Sequence, residues 1–396
     1  MNASTGAADA LVVGGGIVGA ACAYYLSRAG LRVQVLERRF FASGASRACD
    51  GLVLLWDKLS PAELELGKAS ANLWAALAEE LPQDFEYRRY GSIVLAETGK
   101  GLAELHAKGR ELAGLGIQAE LLDAAGLRTL ESNLAHDLPG GVFYPGDAQL
   151  DARLATMALL DAAARCGARL RQGVEVMGLV RGGGGEVTGV VTSAGPVHAA
   201  SVVVAAGAWS GEMLRSEGLH VPVRPRKGHI VVASIRQASD LIRHPLAEGS
   251  YAASVRSSAA DVQVALIAEK TAHDTLLLGS SREFCGFDLS VRTEIIQDIA
   301  ARAVRFIPAL AAVSSIRSYA GVRPWSPDHL PLIGPVPGFP GLFLATGHEG
   351  AGIGLAPVTG KLIAGYLAGS LNHDLAQGVW PDRFHDLAGP MNHHGG

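Results

Sequence analysis

Only four of the 396 residues are cysteines, Cys22, Cys49, Cys166 and Cys285. They stand far apart and match neither a zinc nor an iron–sulfur spacing, which points to reduced thiols in a cytoplasmic protein. Excess charge of one sign is missing too. The 34 Lys and Arg against 38 Asp and Glu leave a formal net charge of −4, which implies neither nucleic acid nor an anionic membrane as partner. No apolar run is long enough to cross a bilayer. Met1 to Asp9 is small and polar, without the charged region of a secretion signal, and the apolar run behind it is broken by Gly14, Gly15, Gly16 and Gly19. There is no internal repeat, no nucleophile–His–acid triad and no metal-ligand cluster.

What is present is a globular composition, 48% hydrophobic and 18% charged. The mean hydropathy is positive, which fits a large buried core or a subunit whose surface is covered by partners. The 50 glycines exceed the usual share of ~7%, as expected of tight turns or of backbone close to a ligand.

Ala10 to Val13 reads as a buried strand, Ile17 to Ala29 as a helix capped by Gly30, and Leu31 to Leu36 as a second strand ending at Glu37. Helices are expected at Pro61–Leu81, Gly101–Leu115, Asp123–Leu130, Asp151–Cys166, Ser290–Phe306 and Ala356–Leu367. Strands are expected at Arg89–Ala96, Val174–Val180, Val187–Thr192, Ser201–Ala205, Gly228–Ser234, within Val262–Gly279, and at Leu342–Ala345. Gly182 to Gly185 is either a hairpin turn or a flexible linker, and the strands on both sides favour the hairpin. The expected class is α/β: a Rossmann-like domain from the discontinuous segments 1–85, 145–215 and 325–385. An antiparallel-sheet (α+β) domain from 86–144 and 216–324 is inserted in it, and 386–396 forms a disordered tail.

Gly14-Gly15-Gly16-Ile17-Val18-Gly19 fits G-x-G-x-x-G, a short pattern that gains weight from the strand before it, the helix after it and Glu37 beyond. Gly14 makes the turn, Gly16 lets the backbone approach a pyrophosphate, and Gly19 lets helix and strand pack closely. The helix N-terminus favours phosphate, and Glu37 accepts from ribose hydroxyls while repelling a 2′-phosphate. A second glycine turn, Gly347 to Gly354, precedes the last helix and can face the electron-rich end of a flavin, which favours FAD over NAD.

These residues resemble the FAD-dependent amine oxidoreductases of the D-amino-acid oxidase and glycine oxidase type. The matching landmarks are the first glycine motif with Glu37, Ser43-Gly44-Ala45-Ser46, Val176 and Ala205-Ala206-Gly207-Ala208-Trp209. Further along come Pro225-Arg226-Lys227-Gly228, Gly321-Val322-Arg323-Pro324, Pro331-Leu332-Ile333-Gly334 and the turn at 347–354. The resemblance implies FAD bound by Gly14, Gly16, Ile17, Val18, Gly19, Glu37, Arg38, Ser43, Gly44, Ala45, Ser46, Gly51, Leu52, Val176, Ala206, Gly207, Trp209, Gly350, Gly352, Ile353 and Gly354. No covalent flavin-attachment motif is recognised. Arg47-Ala48-Cys49-Asp50-Gly51 and Gly279-Ser280-Ser281-Arg282-Glu283-Phe284 look like the β subunits of heteromeric D-hydroxyproline dehydrogenase, opine oxidase and hydrogen cyanide synthase. That branch implies α and iron–sulfur γ partner subunits.

The implied reaction is hydride transfer from the Cα–H of an amino acid or N-substituted amino acid to flavin, giving an imine that water hydrolyses. Arg323 would hold the substrate carboxylate, the alternative being a surface ion pair. Glu283 would face the amine or tune the flavin, or is a solvated carboxylate. His348 and Glu349 open the flavin turn and touch ring or substrate, or only bond within the loop. Tyr251 and Tyr319 line the cavity or the core, Cys49 is an inert buried thiol, and Asp50 caps its turn. Arg224, Arg226 and Lys227 would suit the phosphate of an FMN at a subunit interface, as relatives hold one, or form a solvated basic patch. His393 and His394 are tail residues.

Overall fold

The strand Ala8–Val13 runs parallel to Val33–Glu37 on one side and to Gly195–Val204 on the other. In this computed structural model, which describes residues 8–58, 60–256, 261–384 and 387, its last four residues are buried. A central parallel strand has both faces covered and so reads as an unbroken apolar run. The expected tail over 386–396, with His393 and His394, lies outside the described residues apart from Leu387.

The sheet continues through Arg169–Gln172 at one edge and through Leu342–Thr346 to the antiparallel Leu332–Pro335 at the other. The hairpin of Val176–Arg181 and Val187–Thr192 attaches to the first half of Gly195–Val204, and Gly182 to Gly185 forms its turn. One face packs beneath the helices Ile17–Arg28, Pro61–Glu80, Ala152–Arg165 and Gly352–Leu367, in a core that includes Val12, Trp74, Leu159 and Leu355. The other face, with Leu11, Val202 and Leu344, packs against the hairpin.

The last helix begins at Gly352, not at the expected Ala356, and runs through Pro357. Proline inside a helix normally leaves the carbonyl four residues back without its N–H. Here that carbonyl, on Ile353, accepts from the Trp74 indole at 2.9 Å. The long helix Pro61–Glu80 therefore supplies from outside the bond that the last helix cannot make itself.

The second sheet has eight strands among the described residues. Its order is Ser315–Trp325, Arg224–Ser234, Thr275–Arg282, Gln263–Lys270, Leu246–Glu248, Ser92–Ala96, Gly140–Tyr144 and Glu120–Asp123. It departs from the purely antiparallel sheet expected: Leu246–Glu248 runs parallel to Ser92–Ala96. The two chain segments are each antiparallel within themselves and meet in that pair. The helix Thr293–Phe306 covers one face through Ile295, Ile299 and Phe306 against Val231, Ala233 and Leu278. On the opposite face Tyr251, Ala265 and Ile267 pack with Leu52 and Leu54 from the nucleotide side.

Several strands were not expected, among them Glu120–Asp123, Gly140–Tyr144, Arg169–Gln172, Leu246–Glu248, Ser315–Trp325 and Leu332–Pro335. Arg169–Gln172 is polar at three of four positions, so it shows no apolar alternation; only its neighbours make it a strand.

Candidate functional site

The first glycine turn stands at the carboxyl ends of Ala8–Val13 and Gly195–Val204. Gly14 has φ +112° and a Cβ there would lie 2.4 Å from the Ala205 carbonyl oxygen, while one on Gly19 would lie 2.0 Å from that of Gly14. Only glycine lets the helix Ile17–Arg28 sit this close to the sheet. Gly16 brings no side chain to cap it. Instead Ser46, from the loop after the second strand, accepts the Ile17 N–H at 2.9 Å. Glu37 accepts from the Gly15 N–H at 2.9 Å and the Arg39 N–H at 2.8 Å, which fixes its carboxylate beside the turn.

Ala206, Gly207 and Trp209 follow the third strand at the same edge. Arg38 stacks over Trp209 at 4.3 Å and Trp209 on Phe287 at 5.0 Å, and a Cβ on Gly44 would lie 3.9 Å from the Trp209 ring. The segment before Val176 is tied in by the Val174 N–H, which donates to the Glu37 carbonyl at 3.0 Å. Gly14, Gly16, Ile17, Val18, Gly19, Glu37, Arg38, Ser43 to Ser46, Val176, Ala206, Gly207 and Trp209 thus gather at one edge of the first sheet, where doubly wound folds take nucleotides.

Gly51, Leu52, Gly350, Gly352, Ile353 and Gly354 form the other end. Gly350 and Gly354 face Asp50, Leu52, Tyr251 and Ile267 across a narrow cleft that opens to solvent. A Cβ on Gly350 or Gly207 would meet nothing within 4 Å, so both backbones border open space. No side chain caps the helix Gly352–Leu367. Two glycine-opened helix starts, a carboxylate fixed beside the first and open space beside the second fit a flavin dinucleotide. Among the described residues no group of His, Cys, Asp and Glu is placed to hold a metal.

Arg323 reaches the cleft side of the second sheet. Its guanidinium crosses the neighbouring strand over Gly228, where a Cβ would lie 2.1 Å from Nη1, and donates to the Ser281 carbonyl at 3.0 Å. Burial and the positive charge of Arg282 both hold its pKa below the ordinary arginine value. No carboxylate is ion-paired with it among the described residues, so it is not the surface pair of the alternative reading.

Glu283 lies elsewhere. Side chains alternate along a strand, and the carboxylate of Glu283 meets Lys227 at 3.5 Å and Arg292 at 3.2 Å. That is the face covered by the helix Thr293–Phe306, opposite Arg323. The same alternation dissolves the basic cluster. Arg226 pairs with Arg323 in register and points to the cleft face, whereas Lys227 points away, and both are buried. Arg226 donates to Glu349 and to the Val255 carbonyl, so neither a solvated patch nor a joint phosphate site with Lys227 exists.

His348 also turns inward. Its Nε2 bonds the Thr359 hydroxyl at 2.9 Å, which in turn donates to the Leu355 carbonyl at 2.8 Å, and burial pushes the imidazole pKa down to about 3. It is a neutral brace of the flavin-side turn. Glu349 is buried with φ +45° and accepts from Arg226 and, at 2.9 Å, from His329. Burial raises its carboxyl, but His329, Arg226 and Arg282 together hold it below its ordinary value.

Two residues were underrated by the sequence. Asp50 is a wall of the cleft, with burial raising its carboxyl against the pull of Arg323 and Arg282. In the sequence Arg282 stands only as part of a motif, yet alternation puts it, one position before Glu283, on the cleft face, with Tyr251 beneath it at 4.5 Å. Tyr251 lines the cleft, and Cys49 has a thiol pushed well up by burial.

A nucleotide edge, a second glycine-opened helix and a guanidinium across the cleft make the frame of a dinucleotide-dependent oxidoreductase. The chain belongs to the DAO family, described as FAD dependent oxidoreductase, whose model matches residues 9–366. It is similar to glycine oxidase of Pseudomonas aeruginosa, 34% identical over 91% of this chain and 94% of the relative. It is also similar to hydrogen cyanide synthase subunit HcnC of the same species, 30% identical over 90% and 91%. The crystal structure of glycine oxidase from Geobacillus kaustophilus superposes with a TM-score of 0.83 at 29% identity, covering 93% of this chain and 96% of that one. FAD is therefore the cofactor, and no helix of the described residues is long and apolar enough to cross a membrane.

Proposed function

We propose that this enzyme oxidises the Cα–N bond of an amino acid or N-substituted amino acid, of the D-hydroxyproline, proline, sarcosine or opine class. The observation that carries the reading is the Arg323 guanidinium, without an ion-paired carboxylate among the described residues, held across Gly228 on the face it shares with Arg226, which reaches Glu349 of the second glycine turn. The segments 1–85, 145–215 and 325–385 hold FAD through the residues gathered above, and 86–144 with 216–324 hold the substrate. FAD supplies the hydride acceptor when bound. Arg323 would clamp the carboxylate and so orient Cα for hydride loss, while the tie of Arg226 to Glu349 steadies the second glycine turn. Cα–H leaves as hydride, the Cα–N bond becomes an imine, and water hydrolyses it.

The chain works in the cytoplasm as the β subunit of a heteromeric dehydrogenase, with α and iron–sulfur γ partners taking the electrons. Similarity to HcnC, a named subunit, supports this, as does the lack of cluster spacing among the four cysteines. An FMN at a subunit interface would need a site other than the one expected at Arg224 to Lys227. Similarity to glycine oxidase favours a second reading, in which oxygen reoxidises the flavin directly. Anaerobic addition of amino acids to the yellow holoprotein tests the main claim: at least one should bleach the flavin, and bleaching by none would end it. Stoichiometric peroxide from the isolated chain would decide for the oxidase.

A further inference from the structure

The geometry points to a second anion subsite at Arg282, so that the preferred substrate is an amino acid bearing a second carboxylate, on its side chain or on its nitrogen substituent. This rests on the reading above, in which Arg323 takes the α-carboxylate.

Arg282 is only 2% exposed. Its Nη1 donates to the Ser254 hydroxyl at 2.7 Å and the Ser280 hydroxyl at 3.3 Å, and its plane lies over Tyr251, a wall of the cleft. Its Nε is buried without a partner, and no carboxylate among the described residues is ion-paired with it. Buried guanidinium groups ordinarily have such a partner, because an uncompensated buried charge is costly. The same face shows the ordinary case, since Arg226 is paired with Glu349.

Arg323 converges on the same place, for the carbonyl it holds belongs to Ser281, the residue before Arg282. Two guanidiniums without carboxylates therefore share one wall. Asp50 stands nearby but makes no ion pair with either. One substrate carboxylate satisfies Arg323 and leaves Arg282 uncompensated, whereas a second, suitably spaced, satisfies both and brings the bidentate geometry that arginine favours. A monocarboxylate with an apolar tail would place that tail against a buried charge.

The test compares matched donors on the holoenzyme by anaerobic flavin reduction: iminodiacetate against sarcosine, and each enantiomer of glutamate against the corresponding glutamine. The diacid should win by at least about tenfold in kcat/KM in one pair, as charge-assisted pairs warrant. Preference in the first pair puts the second carboxylate on nitrogen, and preference in the second puts it on the side chain. Arg282→Met should lower the diacid-to-monoacid ratio at least about tenfold. Equal losses for both donors would make Arg282 a mere support for Tyr251 and overturn the proposal. Should that variant not fold, glutarate must still perturb the wild-type flavin spectrum at a lower Kd than butyrate. Reduction by monoacids with no diacid preference sinks this inference alone, whereas reduction by no amino acid sinks the parent reading with it.

Discussion

At the scale of single residues, the site is governed by which way a strand turns its side chains. Arg323, Arg226 and Arg282 share the cleft face, and Glu283 and Lys227 take the other. Arg323 was singled out through the resemblance carried by Gly321-Val322-Arg323-Pro324. Glu283 and Arg282 were not distinguishable, since a one-residue step reverses the face and register is a property of the paired strands. His348 misled for a different reason: adjacency to the glycine turn says nothing of a ring that bonds Thr359, eleven residues further on in the last helix. Arg323→Ala should keep its FAD but lose at least ~2 kcal/mol of transition-state binding, read as kcat/KM. An unchanged kcat/KM with the preferred donor would remove Arg323 from the site.

At the scale of elements, close approach decides the nucleotide end. The strand Ala8–Val13, the helix Ile17–Arg28 and the strand Val33–Glu37 were legible because each is local and the glycine spacing has one physical use. Gly19→Ala places a methyl 2.0 Å from the Gly14 carbonyl oxygen, a backbone atom that cannot swing aside. The helix must shift from the sheet, so the variant should lose ~1–3 kcal/mol of stability and most of its bound flavin. Thermal unfolding and the yellow absorbance of the purified protein check both, and a full flavin complement at wild-type Tm would refute the packing argument. The last helix is the counterexample, since its start was misplaced by the length of one turn. Pro357 reads as a starting signal, and only the Trp74 indole, from a helix far away in sequence, explains why the helix begins earlier.

At the scale of the whole molecule, the second sheet meets the 51–55 segment over buried carboxylates. Glu269 accepts from the Gly51 N–H at 2.8 Å, and burial lifts its carboxyl to about 8 from 4.5; burial lifts Asp147 to about 7 from 3.8. Both folded values lie above the ordinary ones, so the folded state binds more protons. The stability these groups contribute is full below pH ~4 and is lost as the pH rises toward 8. Glu269→Gln removes one such group. Its Tm, measured with excess FAD, should gain on the wild type by at least about 2 °C between pH 5 and pH 8.5. A difference that does not change with pH would show that Glu269 is not held protonated.

By itself the sequence determined the strand–turn–helix of the first glycine motif and the α/β class, because those depend on short-range spacing and on residue types with few alternative uses, and it pointed to Arg323 only through the family resemblance. Tertiary structure alone decided which side chains face the cleft, that Arg226 is spent on Glu349 while Arg282 is left without a carboxylate, and that two antiparallel halves join through a parallel pair. Those outcomes depend on strand register and on partners distant in the chain, and neither is encoded in any one segment.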